Sequence, residues 1–540
     1  MDFVTPSGFR DILPDEALRR EQIISRVQAC LASRGYAPIE TPTLENIEVL
    51  DAVTSLPGVP FRFFDASGDL LALRPDVTMQ VARMCATRLR GEEGPFRFRY
   101  VQRVFREADG MATSREVTQV GIENIDAAGA ESDAEILALF AESLQLCGLD
   151  DFIIALGTAS VLRTVLAAAP ASGDWKNRAM RAYQEGNFVE LARLAALPEA
   201  PAEHAQVLCR MARIRGGREA IDQVRDLVAP LACDCGLDEL ETAFGRLTEM
   251  GLEGKLLVDF SLSSTFSYYT GFIFEAYAPG LGERIGSGGR YDAMIAAFDG
   301  KPRPSAGFAL YLEQVMAALD MQPRRDGDCP LRIAVPKGSL NAGTIEALSR
   351  AGLDTAGLEN PGRQLIISNP GVDYIIVRPT DAPVFVSLGA ADCGICGKDS
   401  LLEAQPNVIE LVDLQFGGCR FVVAEPAGAT PAVEERYRKL GSIRVATKYP
   451  RITRSYYDRV GMQVEIVKLH GNIELAPLTG MAERIIDITA TGTTLRENNL
   501  SVVDEVLDST ARFFANPCAF RTDERVIALA AALQDQVEEQ

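Results

Sequence analysis

Between Pro14 and Arg34 the apolar side chains Ile23, Val27, Cys30 and Leu31 recur at helical spacing, which predicts an amphipathic helix that stops at Gly35. The pattern then changes. Leu70-Leu71-Ala72-Leu73 is a short apolar run, and Phe96-Arg97-Phe98-Arg99-Tyr100-Val101 alternates apolar and basic residues. That alternation predicts an antiparallel sheet with one polar working face. From about 132 to 250 Ala, Leu, Glu and Arg dominate, as in Asn187–Leu194, so a helical insertion is expected over about 160–250. Strand character returns over Lys255–Tyr277. The polar, breaker-rich stretch Asp320–Pro330 predicts a linker at 321–330. Beyond it the runs Leu331–Val335, Tyr374–Val377, Val408–Val412, Ile443–Thr447 and Ile485–Thr489 alternate with helical stretches, the signature of a mixed α/β sheet. The halves 1–320 and 331–540 thus differ in architecture, and neither contains a convincing repeat or low-complexity tract.

Length supports this division, since 540 residues correspond to about three to four folding units. Lys and Arg total 54 against 75 Asp and Glu, and a net charge of −21 argues against nucleic acid or anionic lipid as a partner. An anionic ligand must therefore be held by a local cluster. With only His204 and His470 available, a zinc centre built on several imidazoles is nearly excluded. No apolar run approaches the roughly 20 residues that span a bilayer. The start, MDFVTPSGFRDILPDE, has no signal-peptide pattern, so a cytoplasmic setting with reduced thiols is expected. Cys393-Gly-Ile-Cys396 has redox or metal spacing, but it lacks a second pair and neighbouring histidines and reads as packing.

The sharpest local motif is Ile485-Ile-Asp-Ile-Thr-Ala-Thr-Gly-Thr-Thr-Leu-Arg-Glu-Asn-Asn499, a strand that ends in a Thr/Gly loop and resumes as helix. Glycine lets the backbone turn tightly, so that amides and threonine hydroxyls converge on one point, which suits a phosphate monoester. Asp487 at the strand end would accept hydrogen bonds from ribose hydroxyls or hold a metal ion. The bland alternative is a capped turn.

Four stretches of the first half carry a wider pattern: Thr5-Pro-Ser-Gly-Phe-Arg-Asp11, Leu73-Arg-Pro-Asp-Val-Thr78, Arg103-Val-Phe-Arg-Glu107 with Arg115-Glu-Val-Thr-Gln119, and Gly286-Ser-Gly-Gly-Arg-Tyr-Asp292. Together they resemble the catalytic core of histidyl-tRNA synthetase. The resemblance implies an α+β, class II aminoacyl-tRNA-synthetase-like antiparallel-sheet domain over 1–320. Two departures weaken adenylation: Gln314 stands where the family has an ATP-binding arginine, and Ser264 falls near its histidine-activating arginine. A neutral amide does not replace a guanidinium at a phosphate. No anticodon-binding domain follows residue 320. The amino-acid pocket is better kept, and the resemblance assigns Asp76, Thr78, Arg106, Gln119, Glu123, Tyr268 and Tyr269 to histidine. This half is therefore most similar to the regulatory subunit of ATP phosphoribosyltransferase.

The second half resembles the catalytic ATP phosphoribosyltransferase in its short form, on Pro336-Lys-Gly-Ser-Leu340, Gly362-Arg363, Val377–Pro383, Gly389–Asp392, Gly397-Lys-Asp399, Ala446–Pro450, Gly471–Pro477 and the Thr/Gly loop. Ser339 replaces the usual arginine after Lys-Gly. The implied fold is a two-lobed α/β domain like that of periplasmic binding proteins. The implied reaction joins ATP to 5-phosphoribosyl 1-diphosphate, giving phosphoribosyl-ATP and diphosphate, the first step of histidine biosynthesis. Glu474, Asp487, Thr489, Ala490, Thr491, Gly492, Thr493 and Thr494 would hold the phosphoribosyl group. Lys337, Gly338, Arg363, Arg378 and Asp381 would serve the ATP and diphosphate side. Mg2+ would enter on the substrate, with Asp487 as the protein's candidate ligand, and no general base is assigned. Histidine as feedback inhibitor and a homo-oligomer, dimer or higher, complete the expectation, without nucleic acid or membrane partners. The rival readings are a histidine-charging tRNA synthetase and a non-catalytic ligand-binding protein.

Overall fold

The computed structural model describes residues 4–52, 59–107, 114–233, 236–262, 268–298, 300–321, 329–489 and 492–539. Ser264, Ala490, Thr491 and most of the expected linker lie outside these residues. The chain forms two compact units, Met1–Cys329 with Pro517–Glu524, and Pro330–Asn516 with Arg525–Gln540.

In the first unit the opening helix spans Pro14–Ser33, with proline at its start and Asp15 and Glu16 in the first turn. Proline fits there because its missing amide would go unpaired anyway, and acidic side chains favour the positive end of the helix. Ile23, Val27 and Leu31 are buried, and Gly35 ends the run at φ +83°, a left-handed conformation that glycine adopts without strain. The described strands form a nine-stranded sheet in the order Ala37–Pro38, Phe96–Phe105, Glu116–Ile125, Ser305–Tyr311, Gly286–Arg290, Phe272–Tyr277, Ile153–Thr158, Leu256–Asp259 and Arg215–Gly216. Its middle is antiparallel throughout. Helices between Ala159 and Glu249 occupy the connection from Ile153–Thr158 to Leu256–Asp259. A small sheet of Leu44–Asn46, Leu70–Leu73 and Arg62–Phe64 stands apart.

One expectation needs correction. The arginines that alternate along Phe96–Phe105 do not form a working face. Arg97 pairs with Glu135 at 2.9 Å, Arg99 donates to the Tyr36 carbonyl at 3.1 Å, and Arg103 pairs with Glu116 at 2.8 Å. They tie the strand to its surroundings. The opposite face, with buried Tyr100, points toward the pocket described below.

In the second unit, Leu331–Pro336 pairs in parallel with Val372–Val377 and with Cys393–Gly397. The full sheet has six described strands in the order Ile366–Asn369, Val372–Val377, Leu331–Pro336, Cys393–Gly397, Ala511–Ala515 and Ile409–Asp413. A second sheet has five, Val464–Lys468, Ile443–Thr447, Arg484–Thr489, Cys419–Pro426 and Leu500–Ser509. Both are mixed. The chain passes between them twice, from Asp413 to Cys419 and from Ser509 to Ala511. Cys393 and Cys396 are fully buried in a central strand. No group of three or more His, Cys, Asp or Glu that could hold a metal occurs among the described residues. No described helix is long and apolar enough to cross a membrane.

Candidate functional sites

The first unit carries a pocket lined by Asp76, Thr78, Gln119, Tyr268, Tyr269, Ser287, Tyr291, Gly307, Phe308, Ala309 and Tyr311. Sheet register builds it. Gln119 and Glu123 point to one face because side chains alternate along a strand. Across from them lie Tyr311 and Gly307, and Ala309 in turn faces Ser287. Small residues at these positions leave the hollow. A Cβ on Gly307 would stand 2.1 Å from Glu123 Oε2 and 2.3 Å from the Ile122 carbonyl oxygen.

Glu123 is 1 % exposed. Thr78 Oγ1 donates to its Oε1 at 2.7 Å, Tyr100 OH donates to the same oxygen at 3.3 Å, and Tyr291 OH donates to Oε2. Burial pushes its carboxyl up to about 8, against the pull of the Thr78 and Tyr291 hydrogen bonds. Burial also raises Asp76, while the nearby Arg106 cation opposes the shift. Arg106 donates from Nε to the Pro75 carbonyl at 2.9 Å, but its buried Nη2 has no hydrogen-bond partner, nor does Gln119 Oε1. A buried donor on a cation and a buried acceptor left open are costly unless a ligand completes them. Together they suit a molecule that carries both a carboxylate and an ammonium.

All seven residues expected from the sequence lie in or beside this pocket. Tyr291, Ser287, Tyr311 and the glycine floor did not stand out in the sequence, although Tyr291 belongs to a quoted motif. The signal available was glycine or alanine at alternate positions in Gly286–Gly289 and Gly307–Ala309. Gln314 is not among the lining residues of this pocket and donates from Nε2 to Glu283 Oε2 at 2.9 Å.

In the second unit the Thr/Gly loop follows the strand Arg484–Thr489 as expected, and a helix of five residues, Thr493–Glu497, follows the loop. Gly492 takes φ +72° and donates its amide to Thr489 Oγ1 at 2.8 Å. Asp487 lies on the same strand. Burial, with help from the like charge of Glu474, raises its carboxyl to about 6, while the Ile488 amide and Lys448 pull it down. Glu474, Lys448 and Asp487 are thus neighbours. Strand register agrees, because Thr447 pairs with Ile486 and so places Lys448 beside Asp487. Lys448 was absent from the candidates, since only the parallel pairing of two separate strands brings it there.

Lys337 and Arg378 begin adjacent loops, because Pro336 pairs with Val377 and the Lys337 amide donates to the Val377 carbonyl at 2.8 Å. Asp381 closes the second loop by donating its amide to the Arg378 carbonyl at 2.9 Å. Gly338 takes φ +84°. Arg363 lies on the turn before Leu365, whose carbonyl accepts from the Ile376 amide at 2.8 Å. Lys337, Arg363, Arg378 and Asp381 are exposed.

Known proteins agree with both halves. The family described as histidyl-tRNA synthetase matches residues 8–315, and the one described as ATP phosphoribosyltransferase matches residues 378–535. The ATP phosphoribosyltransferase of Rubrobacter xylanophilus is 52% identical over 191 residues, covering 35% of this chain and 88% of that protein. The ATP phosphoribosyltransferase regulatory subunit of Moorella thermoacetica is 38% identical over 316 residues, covering 58% of this chain and 81% of its own length. The solved structure of an ATP phosphoribosyltransferase regulatory subunit/histidyl-tRNA synthetase from Bacillus halodurans C superposes with a TM-score of 0.55 at 27% identity, covering 70% of this chain and 99% of that one. The first unit accordingly has the class II synthetase fold, and the second is of the pentosyltransferase class. The chain belongs to the ATP phosphoribosyltransferase family, with the regulatory-subunit homologue fused ahead of the catalytic one.

Proposed function

We propose that the second unit carries out phosphoribosyl transfer at the segment Asp487–Thr494 and that the pocket of the first unit binds free histidine to restrain it. The reaction condenses ATP with 5-phosphoribosyl 1-diphosphate: N1 of the adenine attacks C1 of the ribose, and diphosphate leaves. The adenine nitrogen brings its own lone pair, so the protein's work is positioning and charge stabilisation. Thr489, Gly492, Thr493 and Thr494 of the loop cradle the 5-phosphate, and Asp487 with Glu474 faces the ribose hydroxyls. Lys337, Arg363 and Arg378 hold the ATP and diphosphate side, and Lys448 adds a cation beside Asp487. The two-sheet architecture, crossed twice by the chain, supports the periplasmic-binding-protein-like reading, in which substrate lies between the lobes of this unit.

Mg2+ fits the residues present in a particular way. Asp487 and Glu474 offer two carboxylates close enough to repel one another, fewer than a protein-built cage needs, which suits a cation that arrives on phosphate oxygens. Held by Asp487 and Glu474, such a cation would supply neutralising charge for the leaving diphosphate. The carrying observation is the joining of Asp487, Glu474 and Lys448 to a glycine-bearing loop at one strand end. Initial rates of phosphoribosyl-ATP formation from both substrates with magnesium test it, and bound substrate without product would overturn it in favour of a binding module. Histidine-dependent ATP–diphosphate exchange would revive the synthetase reading, which Gln314 and its Glu283 partner oppose. A homo-oligomer and a cytoplasmic setting complete the proposal.

A further inference from the structure

The helix Pro450–Val460 of the second unit begins without a cap of its own. Proline fills its first position, and Tyr449 before it makes no side-chain hydrogen bond to the first turn. The amides of the second and third residues must find acceptors elsewhere, because nothing within the helix can pair them. They find one carboxylate. Glu403 Oε2 accepts from the Arg451 amide at 3.0 Å and from the Ile452 amide at 3.1 Å, and Oε1 accepts from the Arg451 amide at 3.2 Å. Arg451 returns the contact, donating from Nη1 to the Glu403 and Ala404 carbonyls at 3.3 and 3.0 Å.

The two partners belong to different sheets of this unit. Glu403 lies in the short helix Lys398–Ala404, which follows the strand Cys393–Gly397 of the six-stranded sheet, whereas Pro450–Val460 joins Ile443–Thr447 to Val464–Lys468 of the five-stranded one. The other end of Lys398–Ala404 is tied across as well. Asp399 donates its amide to Ser509 Oγ at 3.1 Å, and that hydroxyl donates to Asp399 Oδ1 at 2.9 Å. Ser509 ends the strand Leu500–Ser509, where the chain crosses from one sheet to the other. The helix Lys398–Ala404 is thus a bracket fastened at both ends to the five-stranded lobe. Completing a helix does not require this, since a serine, threonine, aspartate or asparagine at position 449 would cap it locally. Tyr449 is instead 3 % exposed, with its ring 4.9 Å from that of Phe421. A cap supplied from the other sheet fixes where the turn lies as well as pairing its amides.

That turn carries Lys448. Thr447 Oγ1 accepts from the Tyr449 amide at 2.9 Å, and the Thr447 carbonyl accepts from the Leu469 amide at 2.9 Å, so the backbone around Lys448 is held while its side chain stays exposed. Burial raises the Tyr449 hydroxyl, and Asp399, Asp487 and Glu403 add to the rise, which places carboxylates of both sheets around this turn. We propose that Glu403 is a positioning residue for phosphoribosyl transfer, whose carboxylate holds the first turn of Pro450–Val460 and so sets Lys448 beside Asp487 and Glu474 to meet an anionic oxygen of 5-phosphoribosyl 1-diphosphate. The inference rests on the reading of Asp487–Thr494 as the phosphoribosyl site. A lysine ammonium on its flexible four-carbon stem is a point charge without a preset direction, so the anchoring of its backbone decides where it can reach. A supporting shell that locks this anchor is what separates a site that is assembled from one that is loose.

The full chain is assayed without histidine as Glu403→Ala, Glu403→Gln, Lys448→Ala and the double variant Glu403→Ala plus Lys448→Ala, with thermal melting to show that each folds. Glu403→Ala is expected to lose roughly 10- to 100-fold in kcat/KM for 5-phosphoribosyl 1-diphosphate, the scale of a misplacement by about 1 Å, while KM for ATP stays near the wild-type value. Glu403→Gln, whose amide oxygen still accepts an N–H, should recover part of the loss. Because Glu403 acts through Lys448, the double variant should be no slower than Lys448→Ala alone, since residues that share one interaction are not additive. A merely structural role would raise KM for both substrates and make the two losses multiply. That result overturns the proposal, as do Glu403→Ala kinetics equal to the wild type. If Glu403→Ala does not melt cooperatively, Glu403→Gln carries the same cycle with Lys448→Ala, and a Glu403→Gln variant that also fails to fold assigns the carboxylate to stability and overturns the positioning role. These outcomes leave the phosphoribosyl site standing as long as Lys448→Ala is itself impaired. Lys448→Ala at the wild-type rate removes Lys448 from the site and the positioning role with it, and a wild type that makes no product sinks the site reading itself.

Discussion

The two sites handle charge in opposite ways. In the first unit Asp76, Gln119 and Glu123 are 5 %, 2 % and 1 % exposed, with Gln119 and Glu123 on a strand and Asp76 in the turn before the helix that starts at Thr78. In the second, Lys337, Arg363, Arg378, Thr493 and Thr494 are exposed at strand ends and turns. On the function proposed above, the difference follows from the ligands. A small amino acid is told from its analogues by buried groups that are left unpaired when the wrong molecule enters. Two polyanions must enter, lose a diphosphate and leave, so their cations stay hydrated until substrate and metal draw them together. Buried preorganisation suits a sensor, and exposed charge suits a catalyst with large substrates.

The comparison breaks first at Asp487. Replacing it by Asn removes a carboxylate at the end of the strand that leads into the loop, and the transferase rate should fall by roughly 10²- to 10³-fold, in the range seen when one transition-state contact is lost. Histidine binding should not change, and a variant that keeps a tenth of the rate would remove Asp487 from the site. Because its carboxyl is raised to about 6, the wild-type rate should also decline as pH falls through 6. In the other unit Gly307→Ala is the matching blow. A new methyl group 2.1 Å from Glu123 Oε2 and 2.3 Å from a backbone oxygen has no room, and overpacking of about 1–3 kcal/mol, if it falls on the liganded pocket, corresponds to a loss of histidine affinity of about 5- to 150-fold. Calorimetry checks it, with the transferase rate in the absence of histidine as the control that should hold.

The halves also differed in how legible they were. The strand Arg484–Thr489, its loop and Asp487 are consecutive in sequence, and their pattern predicts the local geometry directly. The pocket is assembled from strands up to two hundred residues apart, so its ligand groups were recognisable by order and type, but Tyr291 and the glycine floor emerge only from register. The arginines of Phe96–Phe105 were misread for the same reason: alternation shows that two faces differ, and only tertiary pairing shows what each face meets. Lys448 needed a pairing that no local pattern contains.

Arg106 offers a smaller test of the pocket's preorganisation. Its Nε is already committed to the Pro75 carbonyl, and its open Nη2 is the group available to a ligand carboxylate. Lysine keeps the charge but cannot serve both partners with one fork. Arg106→Lys should therefore weaken histidine by about 5- to 30-fold, equivalent to about 1–2 kcal/mol. An unchanged affinity would mean that the carboxylate lies elsewhere.

The finest distinction between the sites is a proton. In the free protein burial holds Glu123 at about 8, compared with an ordinary value of 4.5. The folded state therefore binds a proton that the unfolded state gives up between these values. The stability this contributes is complete below about pH 4.5 and is lost as pH rises through 8. A ligand that donates an imidazole N–H to the carboxylate favours its ionised form, so binding near neutral pH should release up to about one proton per pocket. Calorimetry at pH 7 in two buffers of different ionisation enthalpy reads this directly. The wild type should give different apparent heats, and Glu123→Gln equal ones with weaker binding. The same substitution should flatten the loss of thermal stability between pH 6 and pH 9. Equal heats in both buffers for the wild type would show that Glu123 enters the complex already charged, and the preorganised pocket would then resemble the solvated transferase site more closely than its burial implies.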